Sequence, residues 1–138
     1  MSKIAVIYWS GTGNTEAMAK AVAEGAKSAG AEVSLLSCTE VSGVDSYDAI
    51  ALGCPAMGAE ELEESEFLPV LEGIEPSLPG KKVVLFGSYG WGSGEWLTSW
   101  ETRCAGKGIT LAAGSVKCND APDDEGLAAC RALGASIA

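Results

Sequence analysis

The sequence contains no histidine, and its five cysteines are spread singly along the chain. Without histidine, Ser-His-Asp and Cys-His nucleophile pairs and histidine-ligated metal sites are excluded. No two cysteines have the Cys-x-x-Cys spacing of iron–sulfur or zinc-ribbon sites. An odd cysteine count with no signal peptide fits free thiols in a reducing compartment. We therefore expect a cytoplasmic protein whose cysteines are small buried hydrophobes.

Positive charge is also scarce. The 9 Lys and Arg stand against 19 Asp and Glu, which gives a net charge of −10. Nucleic acids and anionic membranes both attract basic surfaces, so neither is an expected partner. The acidity fits either a basic protein partner steered by charge or solubility alone. No apolar run reaches the roughly 18 residues that span a membrane. The run from Ile4 to Trp9 is too short for a signal peptide.

Apolar runs and amphipathic segments alternate along the chain, whose length fits one domain at 1–138. We predict strands at 3–9, 33–36, 48–54, 81–88 and 109–116, and helices at 14–29, 64–73, 94–106 and 123–137. This alternation predicts an α/β fold, an open five-stranded parallel sheet with helices on both faces. Such sheets bind ligands outside the carboxyl ends of their strands. Three glycine-rich loops follow strands there, which indicates one shared site.

The first loop, S-G-T-G-N-T, joins a strand to a helix. Its glycines permit close backbone approach, and the helix begins with amides that lack internal partners. These features predict a phosphate site, and the plainer alternative is a Gly-Asn turn with a Thr N-cap. No lysine lies between Lys3 and Lys20, so a Walker A loop is excluded, and Glu16 stands where a dinucleotide motif requires glycine. One phosphate bound by neutral donors remains.

The second and third loops supply flat walls. Pro55 stiffens the entry to the second loop, Gly58 permits a tight turn, and Met57 offers a thioether that favours aromatic contacts. In the third loop Trp91 lies between two glycines, so we expect it to stand out and stack on a ligand rather than fold back over the sheet edge. A phosphate cradle with two walls fits flavin mononucleotide (FMN).

The strings S-G-T-G-N-T, G-C-P-A-M-G and F-G-S-Y-G-W-G-x-G-x-W, in this order, resemble the flavodoxin family of the short-chain type over nearly the whole chain. The resemblance implies the strand order 2-1-3-4-5, for which flavodoxin is itself the standard example. It implies a monomeric carrier, not an enzyme, that transfers single electrons at low potential on non-covalently bound FMN (the semiquinone/hydroquinone couple). Ferredoxin-linked oxidoreductases or reductases are the implied partners.

The resemblance also assigns roles to residues. Ser10, Thr12, Asn14 and Thr15, with the amides of residues 11 to 15, bind the phosphate, and Met57 and Trp91 cover the two flavin faces. The Gly58–Ala59 peptide turns over so that the Gly58 carbonyl accepts from N5–H, and Glu60 accepts from N3–H. Ala59 departs from the Asp or Asn that relatives often carry. The predicted cofactor-binding set is Ser10, Gly11, Thr12, Gly13, Asn14, Thr15, Pro55, Ala56, Met57, Gly58, Ala59, Glu60, Ser88, Tyr89, Gly90, Trp91 and Gly92.

The distribution of charged residues along the sequence predicts a low reduction potential and the position of a docking surface. The three loops lack Lys and Arg, so an anionic reduced flavin beside a bound phosphate is disfavoured. Between residues 56 and 80 there are seven acidic residues and no basic one, and a second acidic cluster lies at 120–125. The first cluster lies next to the second loop and therefore favours docking of a basic partner there. The alternative is that these acidic residues only form a solvated face of the protein.

Two other functions fit the sequence less well. An FMN-dependent enzyme such as a quinone reductase normally has a longer chain with insertions that build a substrate pocket. A response-regulator domain requires an aspartate at the end of the third strand, where this chain has Cys54.

Overall fold

The computed structural model describes residues 2–58 and 60–138. Five parallel strands form one sheet in the order β2-β1-β3-β4-β5. The strands are β1 (Lys3–Tyr8), β2 (Glu32–Ser37), β3 (Ala49–Gly53), β4 (Lys82–Tyr89) and β5 (Val116–Asn119), and the helices are α1 (Asn14–Ser28), α2 (Phe67–Ile74), α3 (Glu95–Gly106) and α4 (Asp124–Ser136). The predicted fold class and strand order are confirmed.

Each face of the sheet carries its own pair of helices. Alternate residues of β1 belong to different clusters: Ile4 and Val6 pack with α1 and α4, whereas Ala5 and Ile7 pack with α2 and α3. Burial on both faces explains why the strand is a continuous apolar run. Within the described ranges, no helix combines the length and apolarity needed to cross a membrane.

Helices α1 and α4 approach each other closely. A Cβ added at Gly25 would lie 1.9 Å from the carbonyl oxygen of Arg131, and one added at Gly134 would lie 1.9 Å from that of Val22. Only glycine fits at these two positions, because the backbone of the facing helix occupies the space of a side chain.

The fifth strand lies later in the chain than predicted. We expected it at 109–116, but β5 spans Val116–Asn119. The earlier segment makes a single bridge, between Leu111 and Val83 at the start of β4. The prediction was wrong because the apolar alternation before residue 112 marks contact with the core, whereas β5 is an edge strand in which Cys118 alone is buried. The other elements agree within three residues at each end.

Helix α2 begins at Phe67 and not at residue 64, because Glu63 caps its start. Glu63 is 6% exposed, and its carboxylate accepts hydrogen bonds from the backbone N–H groups of Ser65 (3.0 Å), Glu66 (2.7 Å) and Phe67 (2.8 Å). The Ser65 hydroxyl also donates to it. Burial raises the pKa of this carboxyl, but the hydrogen bonds outweigh burial and lower the pKa to about 2.

We expect Glu63→Gln to destabilise the fold by about 1–3 kcal/mol at pH 7, because an amide replaces a charged acceptor of several hydrogen bonds. The folded-state pKa lies below the ordinary value of 4.5. The contribution of the carboxylate is therefore complete above that value and is lost as the pH falls toward 2.

Urea unfolding of the wild type and the variant at pH 7 and pH 3 measures this difference, which should narrow at pH 3. Glu24→Gln, on the exposed side of α1, is the control and should change stability little at either pH. An equal difference between wild type and Glu63→Gln at both pH values would contradict the capping role.

Candidate functional site

The three predicted loops meet at the carboxyl ends of β1, β3 and β4. Backbone hydrogen bonds link neighbouring segments: Trp9 N–H donates to the Gly53 carbonyl (3.0 Å), and Ala56 N–H donates to the Ser88 carbonyl (3.0 Å). Together the loops enclose a cavity of about 240 Å³. Its lining includes nine residues of the predicted set, which are Gly11, Thr12, Asn14, Pro55, Ala56, Met57, Ser88, Tyr89 and Gly90.

The first loop is shaped to receive an anion. Gly13 precedes α1 with φ 94°, and no side chain caps the helix. The Ser10 hydroxyl accepts from Gly13 N–H at 3.0 Å and folds the loop into a turn. Thr15 is 1% exposed, and its hydroxyl oxygen has no hydrogen-bond partner among the described residues. A buried hydroxyl beside a helix N-terminus fits a phosphate, because the ligand would complete its hydrogen bonding.

The second loop makes a tight turn. Met57 and Glu61 form an antiparallel bridge through N–H···O bonds of 2.8 and 3.0 Å. Between them, Gly58 has φ 38° and Glu60 has φ 55°. The predicted switch peptide includes Ala59, which lies outside the described residues. A turn held at both ends confines any rearrangement to the residues between.

Glu60 connects the second loop to α3. Its Oε1 accepts from the backbone N–H of Gly94 (3.1 Å) and of Glu95 (3.0 Å), at the start of the helix. A Cβ added at Gly92 would lie 2.7 Å from the same oxygen. No local sequence pattern indicates this structural role of Glu60, because the hydrogen bonds join residues about 35 positions apart.

The two predicted wall residues are accessible. Trp91 is 65% exposed and Met57 is 36% exposed. Trp91 therefore stands out from its loop and does not fold back over the sheet edge. Seven described residues of the predicted set lie outside the cavity lining, namely Ser10, Gly13, Thr15, Gly58, Glu60, Trp91 and Gly92.

Two lining residues, Trp9 and Asp120, were absent from the predicted set. The Trp9 indole N–H donates to the carboxylate of Glu66 at 2.9 Å, and a Cβ added at Gly11 would lie 3.0 Å from the indole ring. Its position at the end of β1, directly before the first loop, could have identified it. Asp120, with φ 54°, follows β5. Because we predicted the fifth strand too early in the chain, the prediction did not place Asp120 at the same edge of the sheet as the three loops.

All five cysteines are buried thiols. Burial raises the pKa of Cys54 and of Cys130 to about 12 and that of Cys104 to about 11. These thiols stay protonated at neutral pH, so they are poor nucleophiles and act as core side chains.

Comparison with known proteins identifies the family. A family model described as flavodoxin matches residues 6–134. The flavodoxin of Megasphaera elsdenii is 48% identical over 137 residues, which cover 98% of this chain and 98% of that relative. The flavodoxin of Clostridium beijerinckii is 44% identical over 122 residues, which cover 86% and 88%. The solution structure of two-electron reduced Megasphaera elsdenii flavodoxin matches with a TM-score of 0.88 at 46% identity over 97% of both chains. The chain therefore belongs to the flavodoxin family, and it is a small electron-transfer protein that binds FMN.

Proposed function

We propose that residues 1–138 act as one monomeric domain that carries single electrons at low potential between cytoplasmic redox enzymes, and that it catalyses no reaction of its own on an organic substrate. When bound, FMN supplies a ring that takes up two electrons one at a time. The cradle at the start of α1, where the buried Thr15 hydroxyl has no hydrogen-bond partner in the part of the chain that the structure describes, is the observation that carries the proposal.

We assign the binding roles as follows. The first loop, residues 10–15, holds the phosphate through backbone amides and the hydroxyl of Thr15. Met57 and Trp91 cover the two faces of the ring, and residues 88–92 hold its pyrimidine edge. The Gly58 carbonyl accepts a hydrogen bond from flavin N5–H, and Glu60 accepts one from flavin N3–H. The backbone N–H groups of Gly94 and Glu95 both donate to Oε1 of Glu60. Its Oε2 accepts neither of these bonds, which supports the assignment of Glu60 to N3–H.

Charge around the cavity supports a low potential. The phosphate is held by neutral donors, and the carboxylate of Asp120 lies in the cavity lining. Glu60 adds a second carboxylate at the entrance to α3. A negative charge on the ring is disfavoured by these neighbours, because like charges repel more strongly where water is partly excluded. The second electron therefore has to be supplied by a strong reductant.

Stepwise reduction tests the proposed function. With FMN bound, titration with dithionite under argon should take up the two electrons in separate steps. A long-wavelength absorption band should form at half reduction and disappear at full reduction, and the second step should need the lower potential. Bleaching in a single two-electron step, or rapid oxidation of NADPH by the protein, would count against a one-electron carrier.

The phosphate cradle has its own test. We expect Thr15→Val to weaken FMN binding about 5- to 100-fold, because the variant loses a buried hydrogen bond of about 1–3 kcal/mol. Binding of riboflavin, which lacks the phosphate, should change little. Fluorescence titration of the apoprotein with both ligands measures this, and Thr98→Val on the exposed side of α3 is the control. Equal losses for FMN and riboflavin would show that Thr15 does not contact the phosphate.

A second cavity, of about 520 Å³, supports docking of a basic partner. Leu62, Leu68, Trp96 and Trp100 form its apolar lining, and Glu60, Glu61, Glu64 and Glu95 supply its carboxylates. The hydrogen bond and charge of Glu61 raise the pKa of Glu64, which shows that negative charge is crowded there. Arg103 also lines the cavity, but the buried carboxylate of Glu75 holds it through two bonds of 2.7 Å.

The groove formed by this cavity combines carboxylates with apolar side chains. A basic side chain flanked by apolar ones matches such a groove in both charge and polarity. We therefore propose that a basic surface of the partner, of the ferredoxin-linked oxidoreductase or reductase class, docks here.

We expect the double variant Glu61→Gln/Glu64→Gln to reduce the basic protein cytochrome c about 2- to 10-fold more slowly than the wild type at low ionic strength, because charge steers the encounter. The difference should fade as salt screens the charges. Stopped-flow rates across a salt series measure this.

The matched control is Glu24→Gln/Glu32→Gln, which removes the same charge from exposed positions of α1 and β2. Equal slowing by the two double variants would mean that net charge, and not this groove, governs docking.

A further inference from the structure

The loops of the site contain no basic residue, but the fold brings one to them from β5. The Lys117 ammonium donates to the carbonyl of Ser93 at 3.1 Å. It also lies 5.9 Å from the centre of the Tyr89 ring. A Cβ added at Gly94 would lie 2.6 Å from the Lys117 Nζ. The ammonium therefore rests directly against the chain that runs from the third loop into α3.

This contact places a positive charge behind one wall of the cavity. Tyr89 lines the cavity, and Lys117 lies over its ring. The same stretch of chain is held on another side by Glu60, through the amides of Gly94 and Glu95. In a chain with a net charge of −10, a cation at this point opposes the surrounding field.

We propose that Lys117 is a positioning residue that holds the chain at residues 93 and 94 and makes the second one-electron step easier than the acidic surroundings alone would allow. The proposal rests on the assignment of residues 88–92 to the pyrimidine edge of the ring. If bound FMN took up its first electron together with a proton at N5, the charge of the flavin would not change. A second electron taken up without a proton would add one negative charge, and this is the charge that the Lys117 ammonium would stabilise.

The size of the effect follows from Coulomb's law. For two unit charges roughly 10 Å apart, the attraction changes an equilibrium constant about twofold at the dielectric constant of water and about 15-fold at the value typical of a protein surface. Because the charges are partly exposed, the effect should weaken as ionic strength rises. A residue that merely kept the loop folded would act on both steps and on FMN binding, without this dependence on salt.

The test compares three variants with the wild type. Lys117→Met keeps most of the aliphatic chain and removes the charge, and Lys117→Arg keeps the charge. Lys82→Met removes the same charge at the exposed amino end of β4, at the opposite edge of the sheet from the loops. Each FMN-loaded protein is titrated with dithionite at low and high salt, and the equilibrium constants of both steps are measured. Hydrogen exchange of the amides of residues 93–95 is followed in the apoproteins.

For Lys117→Met we expect the equilibrium constant of the second step to fall about two- to fifteenfold at low salt, with a smaller fall at high salt and no change in the first step. Amide exchange at residues 93–95 should become faster. Lys117→Arg and Lys82→Met should match the wild type in all these measurements.

Three results would overturn the proposal: a second step in Lys117→Met that matches Lys82→Met, an equal loss in Lys117→Arg, or unchanged amide exchange in Lys117→Met. Failure of the underlying function is recognised separately. In that case the wild type itself takes up both electrons in one step, whereas separate steps that Lys117→Met leaves unchanged overturn only the role of Lys117.

Discussion

Strands β1, β3 and β4 lie side by side and run in the same direction, and every part of the site depends on that pairing. Parallel neighbours end at one edge, so three loops that are distant in sequence are brought to one cavity. Backbone bonds from Trp9 to Gly53 and from Ala56 to Ser88 extend the ladder beyond the ends of β1 and β3. The loops are thus positioned by the same hydrogen bonds that hold the sheet.

The loops combine groups suited to an anion with surroundings that resist further negative charge. The first loop offers amides and hydroxyls without a formal cation, so the charge of a bound phosphate is not neutralised. Carboxylates at Glu60 and Asp120 lie on other sides of the same region. The ammonium of Lys117 donates to the Ser93 carbonyl, between the third loop and α3. Glu60 and Lys117 both form hydrogen bonds with the backbone next to Gly94, and both are charged. The same two side chains therefore position this part of the chain and contribute to the local electrostatic potential.

Local patterns were enough to predict most of the fold and much of the site. Buried strands such as β3 are continuous apolar runs, and glycine spacing marked the three loops. The failures have physical reasons. β5 is an edge strand whose sequence, V-K-C-N, carries little apolar signal. The contacts of Glu60, Asp120 and Lys117 join residues far apart in sequence, so no local pattern records them.

The glycine contacts between α1 and α4 bear on how the cofactor is received. Because Gly25 and Gly134 let each helix rest on the backbone of the other, α1 has little freedom to tilt or slide. The amino end of α1 faces the cavity. Its position is therefore determined by packing between the carboxyl-terminal parts of α1 and α4. A cradle that is already rigid before its ligand arrives loses little conformational entropy on binding.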